Sequence, residues 1–209
     1  MQTVEIELKF TVVDVAALES KLVVLGFRLK TPQTFESNTL YDTPERALRA
    51  TGQILRLRQY GSLWTLTHKA QPPLADNSRY KQRIETETTI GDGDSLATIF
   101  AQLGYEPVFR YEKWRAEWSE LSASGDLCHL DIDHTPIGVY AELEGPPSWI
   151  DFTLERLDVA PSTCITESYG RLFLEWREQT GSSAKNLTFA EISVSELAPQ
   201  PGTEVPVPK

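Results

Sequence analysis

Alternation with a period of two is the feature that most narrows what this chain can fold into. In Val4-Glu5-Ile6-Glu7-Leu8-Lys9-Phe10 the even positions are apolar and the odd ones charged. Such a segment forms a strand with one face in a core and the other in surroundings that suit charge. The pattern returns along the chain. Arg56 and Arg58 oppose Leu55 and Leu57, and Lys69 follows Thr65 and Thr67, opposite Trp64 and Leu66. From Arg79 to Glu87 one face carries three basic side chains, Arg79, Lys81 and Arg83, then two acidic ones, Glu85 and Glu87. Lys113, Arg115 and Glu117 oppose Trp114, Ala116 and Trp118; His129, Asp131 and Asp133 oppose Cys128, Leu130 and Ile132; Glu142 and Glu144 oppose Ala141 and Leu143.

Eight strands are predicted, over residues 4–10, 35–41, 53–59, 63–69, 79–88, 108–118, 127–133 and 138–144. Helices are expected over 15–25 behind an Asp14 cap, in a short turn near Pro44 carrying Leu48, from Asp94 or Ser95 to Leu103, and over 148–157 and 167–176. Two of them leave by the same Leu-Gly-aromatic exit, Leu25-Gly26-Phe27 and Leu103-Gly104-Tyr105. Eight strands, most of them long, suggest a mainly β, α+β fold: a closed eight-stranded antiparallel barrel with helices packed outside. If the helices cover the apolar face, the charged face must line the lumen. An open sheet with its charges in bulk water is the competing arrangement. Against it, acids cluster with acids and bases with bases along each strand.

The chain has 209 residues and a net charge of -10, enough for one core and hardly two. A single domain over 1–192 is expected, then a Pro-rich tail without fixed structure over 193–209. The acidic balance argues against a nucleic-acid partner held by bulk electrostatics. Cys128 and Cys164 lack metal-ligand spacing and are expected to be free thiols. No secretory h-region and no run of about 18 apolar residues is present, so a cytoplasmic protein without a membrane partner is expected, as monomer or homodimer.

Two carboxylates at i and i+2 on a strand stand roughly 7 Å apart on one face. Glu5/Glu7, Glu85/Glu87 and Glu142/Glu144 repeat this spacing, and converging strands could build from them an oxygen-rich site for Mg²⁺ or Mn²⁺. Arg56, Arg58, Lys69, Arg83 and Arg115 supply a complementary pole whose guanidinium forks match phosphate. A polyanion that arrives with its divalent metal suits both poles, and triphosphate is the simplest.

These residues carry a family resemblance. Glu5-Ile6-Glu7-Leu8-Lys9 resembles the Glu-x-Glu-x-Lys signature of the CYTH family, the triphosphate tunnel metalloenzymes. The match continues through Tyr41-Asp42-Thr43, Leu55-Arg56-Leu57-Arg58, Leu66-Thr67-His68-Lys69, Arg83-Ile84-Glu85-Thr86-Glu87, Lys113-Trp114-Arg115, Asp131-Ile132-Asp133 and Glu142-Leu143-Glu144-Gly145, over about residues 4–176. The resemblance implies an eight-stranded tunnel with metal held by carboxylates and triphosphate gripped by Lys and Arg. Carried over, Lys9, Arg56, Arg58, Lys69 and Arg115 form the phosphate grip, with Lys81 and Arg83 as additions. Glu142 and Glu144 would hold the metal on the triphosphate with one aspartate of the Asp131/Asp133 pair; parity does not separate the two, and Asp133 is preferred as the nearer to the turn. Glu5 and Glu7, with Glu85 or Glu87, would hold a second metal or orient water. Lys185 matches the family's C-terminal lysine poorly.

The activity this implies is metal-dependent hydrolysis of the terminal phosphoryl bond of inorganic triphosphate or a small organic triphosphate such as thiamine triphosphate, with Glu5, Glu7, Glu85, Arg58 and Lys69 nearest the chemistry. Adenylate cyclisation by a class IV enzyme is the rival inside the family, and a non-catalytic polyphosphate or nucleotide-binding module the rival outside it. His68 has outward parity and reads as structural; His129 has inward parity near a strand end. Removing a pocket carboxylate such as Glu142 is expected to relieve like-charge repulsion and stabilise the empty protein.

Overall fold

The computed structural model describes residues 2–72 and 79–192. The expected tail over 193–209 and most of the loop before the fifth strand lie outside the described residues. Eight strands close into an antiparallel barrel: β1 (Gln2–Thr11), β2 (Arg28–Asp42), β3 (Ile54–Tyr60), β4 (Leu63–Ala70), β5 (Lys81–Ile90), β6 (Glu106–Leu121), β7 (Leu127–Thr135) and β8 (Gly138–Glu144), in the spatial order β1-β5-β4-β3-β2-β6-β7-β8. Closure comes from β1, which pairs with β5 along its first half, Glu5 opposite Arg83, and with β8 along its second, Lys9 opposite Glu142. That double pairing puts the acidic and basic residues of three strands side by side.

β2 begins seven residues before the predicted strand, at Arg28. Pro32 within this added stretch cannot donate to a ladder. The pairing with β6 absorbs it through register shifts between Leu29 and Thr31 and between Thr31 and Thr34.

Five helices pack outside: α1 (Val15–Leu25), α2 (Ala47–Ala50), α3 (Gly93–Gln102), α4 (Pro147–Leu157) and α5 (Tyr169–Thr180). Asp14 caps α1 by accepting the Ala17 N–H at 2.9 Å, and Gly26, at φ 94°, ends it in the left-handed region that favours glycine. Gly104 does the same after α3 at φ 86°, so the shared exit is a shared cap. The cap that opens α3 is Asp92, whose carboxylate accepts from Asp94 and Ser95, which moves the start one or two residues ahead of the expected one. α2 starts at Ala47 rather than near Pro44, yet Asp42 and Thr43 do cap it: Asp42 accepts the N–H of Leu48 at 2.9 Å and of Arg49 at 3.0 Å, and Thr43 Oγ1 that of Ala47 at 3.2 Å.

Most of the apolar parity of the barrel is buried beneath these helices, while Val4, Phe35 and Trp114 keep solvent contact. Leu8, Phe10, Leu130, Ile132 and Leu143 pack against α1 and α4 through Leu22, Trp149, Ile150 and Leu154. Tyr41 and Leu57 meet Phe100 of α3, and Tyr140 meets Tyr169 and Phe173 of α5. Each fully buried Leu or Ile contributes about 2 kcal/mol. With the outer face occupied, the charged parity has only the lumen to face.

Candidate active site

The lumen is a cavity of 370 Å³. Seven acids line it, Glu5, Glu7, Glu85, Glu87, Asp131, Glu142 and Glu144, with seven bases, Lys9, Arg56, Arg58, Lys69, Lys81, Lys113 and Arg115. The strands that hold them are rigid on both flanks, so the parity read from sequence fixes which atoms meet.

The poles are not segregated as expected; acids and bases interleave as ion pairs. Lys69 Nζ lies 2.6 Å from Glu5 and 3.2 Å from Glu85, and Lys81 holds Glu7. Lys9 lies 2.8 Å from Glu142, which Arg115 also contacts. Arg115 reaches Asp131 at 2.6 Å and Asp133 at 2.6 Å. Arg56 sits 3.6 Å from Glu85 and 3.7 Å from Glu87. This pairing offsets the cost of burying so many charges.

Two expected site residues do not border the cavity. Asp133 is fully buried beneath it and holds others in place, accepting from Lys113 at 2.8 Å, from Arg115 at 2.7 and 2.6 Å and from the Tyr169 hydroxyl at 2.6 Å. Asp131 is the aspartate of that pair that reaches the lumen. Arg83 keeps inward parity, but one terminal nitrogen donates to the Gln82 carbonyl at 3.0 Å, and among the described residues it forms no ion pair.

Several side chains in or beneath the lumen lay outside the expected set, Glu36, Lys113 and Tyr169 among them. Glu36, 1% exposed, sits 2.7 Å from Arg58 and 3.5 Å from Lys113 and accepts from Asn38 at 2.8 Å. Inward parity in the segment 35–41 could have found Glu36 and Asn38, but one carboxylate among Ser, Asn and Thr carries little signal. Lys113 was on the charged face and in a matching motif, without a role. Tyr169 comes from the first turn of α5, outside the barrel, and its ring lies 5.1 Å from the Lys9 ammonium and 5.0 Å from that of Lys113. Nothing in strand parity points to it.

His68 turns outward, its Nε2 2.8 Å from Gln53 Oε1. His129 pairs in register with Glu144 and does not border the cavity. Lys185 lines a neighbouring cavity instead. Cys128 and Cys164 are free.

The acids differ in how well they are balanced. Burial raises the Glu7 pKa, but Lys81 and then Lys9 more than offset it, holding the group at about 2. Glu142 is held well below its ordinary value, chiefly by Lys9 against the effect of burial. Its removal therefore exposes two cations rather than relieving repulsion, which reverses the stabilisation expected above. Asp131 is pushed up to about 7 by burial although Arg115 touches it, because Arg115 is shared with Asp133 and Glu142. Glu144, with no cation in ion-pair range among the described residues, is pushed up to about 8 by burial and then by Glu5, Asp131 and Glu7.

This region fits a divalent cation in chemistry. The donors are hard carboxylate oxygens in surplus over their local cations, and Asp131 Oδ1 is buried without a hydrogen-bond partner. As the side chains stand, no group of three or more His, Cys, Asp or Glu among the described residues is arranged to hold a metal ion. The carboxylates are turned to their lysines and arginines.

Comparison with known proteins agrees with the barrel. A putative adenylate cyclase of Methanocaldococcus jannaschii is 28% identical over 176 residues, 79% of this chain and 96% of that protein. The adenylate cyclase CyaB of Aeromonas hydrophila is 30% identical over 140 residues, 66% of this chain and 67% of that one. The crystal structure of a putative adenylate cyclase from Vibrio parahaemolyticus superimposes with a TM-score of 0.66 at 21% identity, covering 81% of this chain and 97% of that one. The CYTH domain model matches residues 3–145, from the first strand to the glycine after the eighth, and with the barrel closed and the charged parity inside, the chain belongs to the CYTH family.

Proposed function

We propose that this protein is a divalent-metal-dependent triphosphatase that hydrolyses the terminal phosphoryl bond of inorganic triphosphate or a small organic triphosphate. One observation carries the reading: seven acids and seven bases line a single 370 Å³ lumen, equal in number and for the most part ion-paired, with Glu144 left over. A bare polyanion entering it would leave several uncompensated negative charges, and a bare cation the reverse. Triphosphate accompanied by divalent metal adds far less to the net charge, about two divalent ions cancelling most of it, and it gives acids and bases alike a partner.

Lys9, Arg56, Arg58, Lys69, Lys81, Lys113 and Arg115 exchange their carboxylate partners for phosphate oxygens and fix the chain of phosphates along the lumen. Glu142, Glu144 and Asp131 would hold a divalent ion, Mg²⁺ or Mn²⁺, with Glu5, Glu7, Glu85 and Glu87 as further donors; when bound it supplies charge neutralisation at the phosphate oxygens. Glu5 and Glu85, released from Lys69, accept hydrogen bonds from a water and orient it in line with the terminal phosphorus. The water oxygen bonds to phosphorus as the bridging P–O bond breaks, and its proton passes to a carboxylate. Arg56 and Arg58 stabilise the charge that develops on the leaving diphosphate.

Cyclisation of ATP is the second reading, favoured by the adenylate cyclase names of the two sequence relatives. It needs a group near the organic end of the substrate to accept the ribose hydroxyl proton. At the mouth shared with the neighbouring cavity the lumen is bordered by Leu40, Ile54, Phe109, Ser168 and Gly170, none of them a carboxylate, which supports attack by water deeper in. Phosphorus NMR of products from triphosphate, ATP and thiamine triphosphate with each metal decides. Orthophosphate supports hydrolysis, pyrophosphate with cyclic AMP supports cyclisation, and binding without turnover under any metal refutes both.

A further inference from the structure

A second cavity, of 510 Å³, opens beside the tunnel mouth and is continuous with it through Leu40, Ile54 and Phe109. Its floor is apolar, with Phe109, Phe173 and Leu55. Its rim is basic: Arg46, Arg49, Arg171, Arg177 and Lys185 face one carboxylate, Asp42. Asp42 is already engaged by the backbone N–H groups of Thr43, Leu48 and Arg49. Arg46 pairs with Glu106 at 2.9 Å and Arg171 with Glu175 at 2.8 Å. Arg49, Arg177 and Lys185 form no ion pair within 4.0 Å among the described residues. In a chain of net charge -10, three cations without an ion pair around one apolar floor are a local excess, even though Arg177 donates to the Ser182 carbonyl at 3.4 Å and Glu191 acts on Lys185 at longer range.

The geometry points to this annex as the seat of the group attached to the triphosphate, with Arg49, Arg177 and Lys185 selecting an uncharged or anionic group, a nucleoside, over a cationic one, the thiazolium of thiamine. The inference rests on the triphosphate reading above. A flat neutral base finds aromatic surface at Phe109, which is backed by the buried Phe173, and hydrogen-bond donors in the guanidinium groups. A thiazolium would be brought against three cations with no carboxylate free to offset them.

The test begins with wild-type protein and Mg²⁺, titrated with inorganic triphosphate, which is short enough to end inside the tunnel. Absence of binding overturns the triphosphate reading and this inference with it. With binding established, kcat/KM is measured for ATP and for thiamine triphosphate, counting phosphate and pyrophosphate release alike. Wild type should favour ATP, and the Arg49→Glu/Lys185→Glu variant should lower the ATP to thiamine triphosphate ratio by about tenfold, the scale of reversing two charges at partly solvated positions. Lys185→Glu alone, at an exposed side chain, should shift the ratio about threefold in the same direction and serves if the double variant folds poorly. A ratio unchanged in the variants, or a wild type that prefers thiamine triphosphate, overturns the annex assignment while the tunnel reading stands.

Discussion

Glu36→Gln isolates the counter-ion of Arg58 and Lys113 beneath the lumen. The carboxylate is 1% exposed, 2.7 Å from Arg58 and 3.5 Å from Lys113. Breaking a buried pair by removing one partner costs about 3–5 kcal/mol. Here the lower end applies, because glutamine keeps the bond to Asn38, Lys113 keeps Asp133 at 2.8 Å, and Arg58 stays over the Tyr60 ring at 4.7 Å. With a urea m-value of about 2 kcal/mol per molar, a loss of about 3 kcal/mol lowers the midpoint by about 1.5 M at pH 7. Triphosphate should shrink that gap, since its oxygens replace the missing carboxylate. Acid should shrink it too. Lys113, Arg115 and Arg58 outweigh burial and hold the Glu36 pKa far below 4.5, so its contribution is full above that value and is lost as pH falls through the lower, folded one. A midpoint shift under about 0.3 M at pH 7, or a gap that ignores both ligand and pH, would falsify the assignment of Glu36 as the counter-ion.

Three further outcomes follow from the site and its supports. Glu142→Gln and Glu144→Gln should move stability in opposite directions: the first uncovers Lys9 and Arg115 and lowers the melting temperature, while the second removes a carboxylate pushed up to about 8. Because the Glu144 pKa is raised, its charged form destabilises the fold above the ordinary value, so the gain of about 1 kcal/mol, discounted for its opening to solvent, grows as pH rises toward 8 and vanishes below 4.5; melts across pH with the same sign for both variants would refute the account. Tyr169→Phe keeps the ring beneath both lysines and loses the 2.6 Å bond to Asp133, for about 1.5 kcal/mol. Tyr169→Leu should raise the triphosphate KM further, and equal KM values in the two would show that the ring contributes nothing. Asp42→Ala removes an acceptor of three backbone N–H groups and should cost about 1–2 kcal/mol in chemical denaturation; those bonds hold its pKa below 3.8 against burial, so the difference should disappear as pH falls below that value.

Strand parity was legible because it is local: whether Glu5 or Ile6 faces the lumen depends on the period of one strand. The partners were not. Lys69 meets Glu5 across 64 residues of chain, a contact set by β1 pairing with β5 and β5 with β4. The same limit explains why two acidic and basic poles were expected where ion pairs interleave, and why Glu142 was taken for a repelled carboxylate. Asp131 and Asp133 share a face and differ only in depth, which no two-residue period encodes. Tyr169 was beyond reach, since its place depends on how an external helix docks.

That helix begins 25 residues after the last strand residue, Glu144, and beyond the stretch that defines the family. A ribosome would release all eight staves before the piece that steadies two of the lysines between them. The tunnel thus comes off the assembly line as a closed ring of staves, and the seating of Lys9 and Lys113 against Tyr169 waits for the late-made segment.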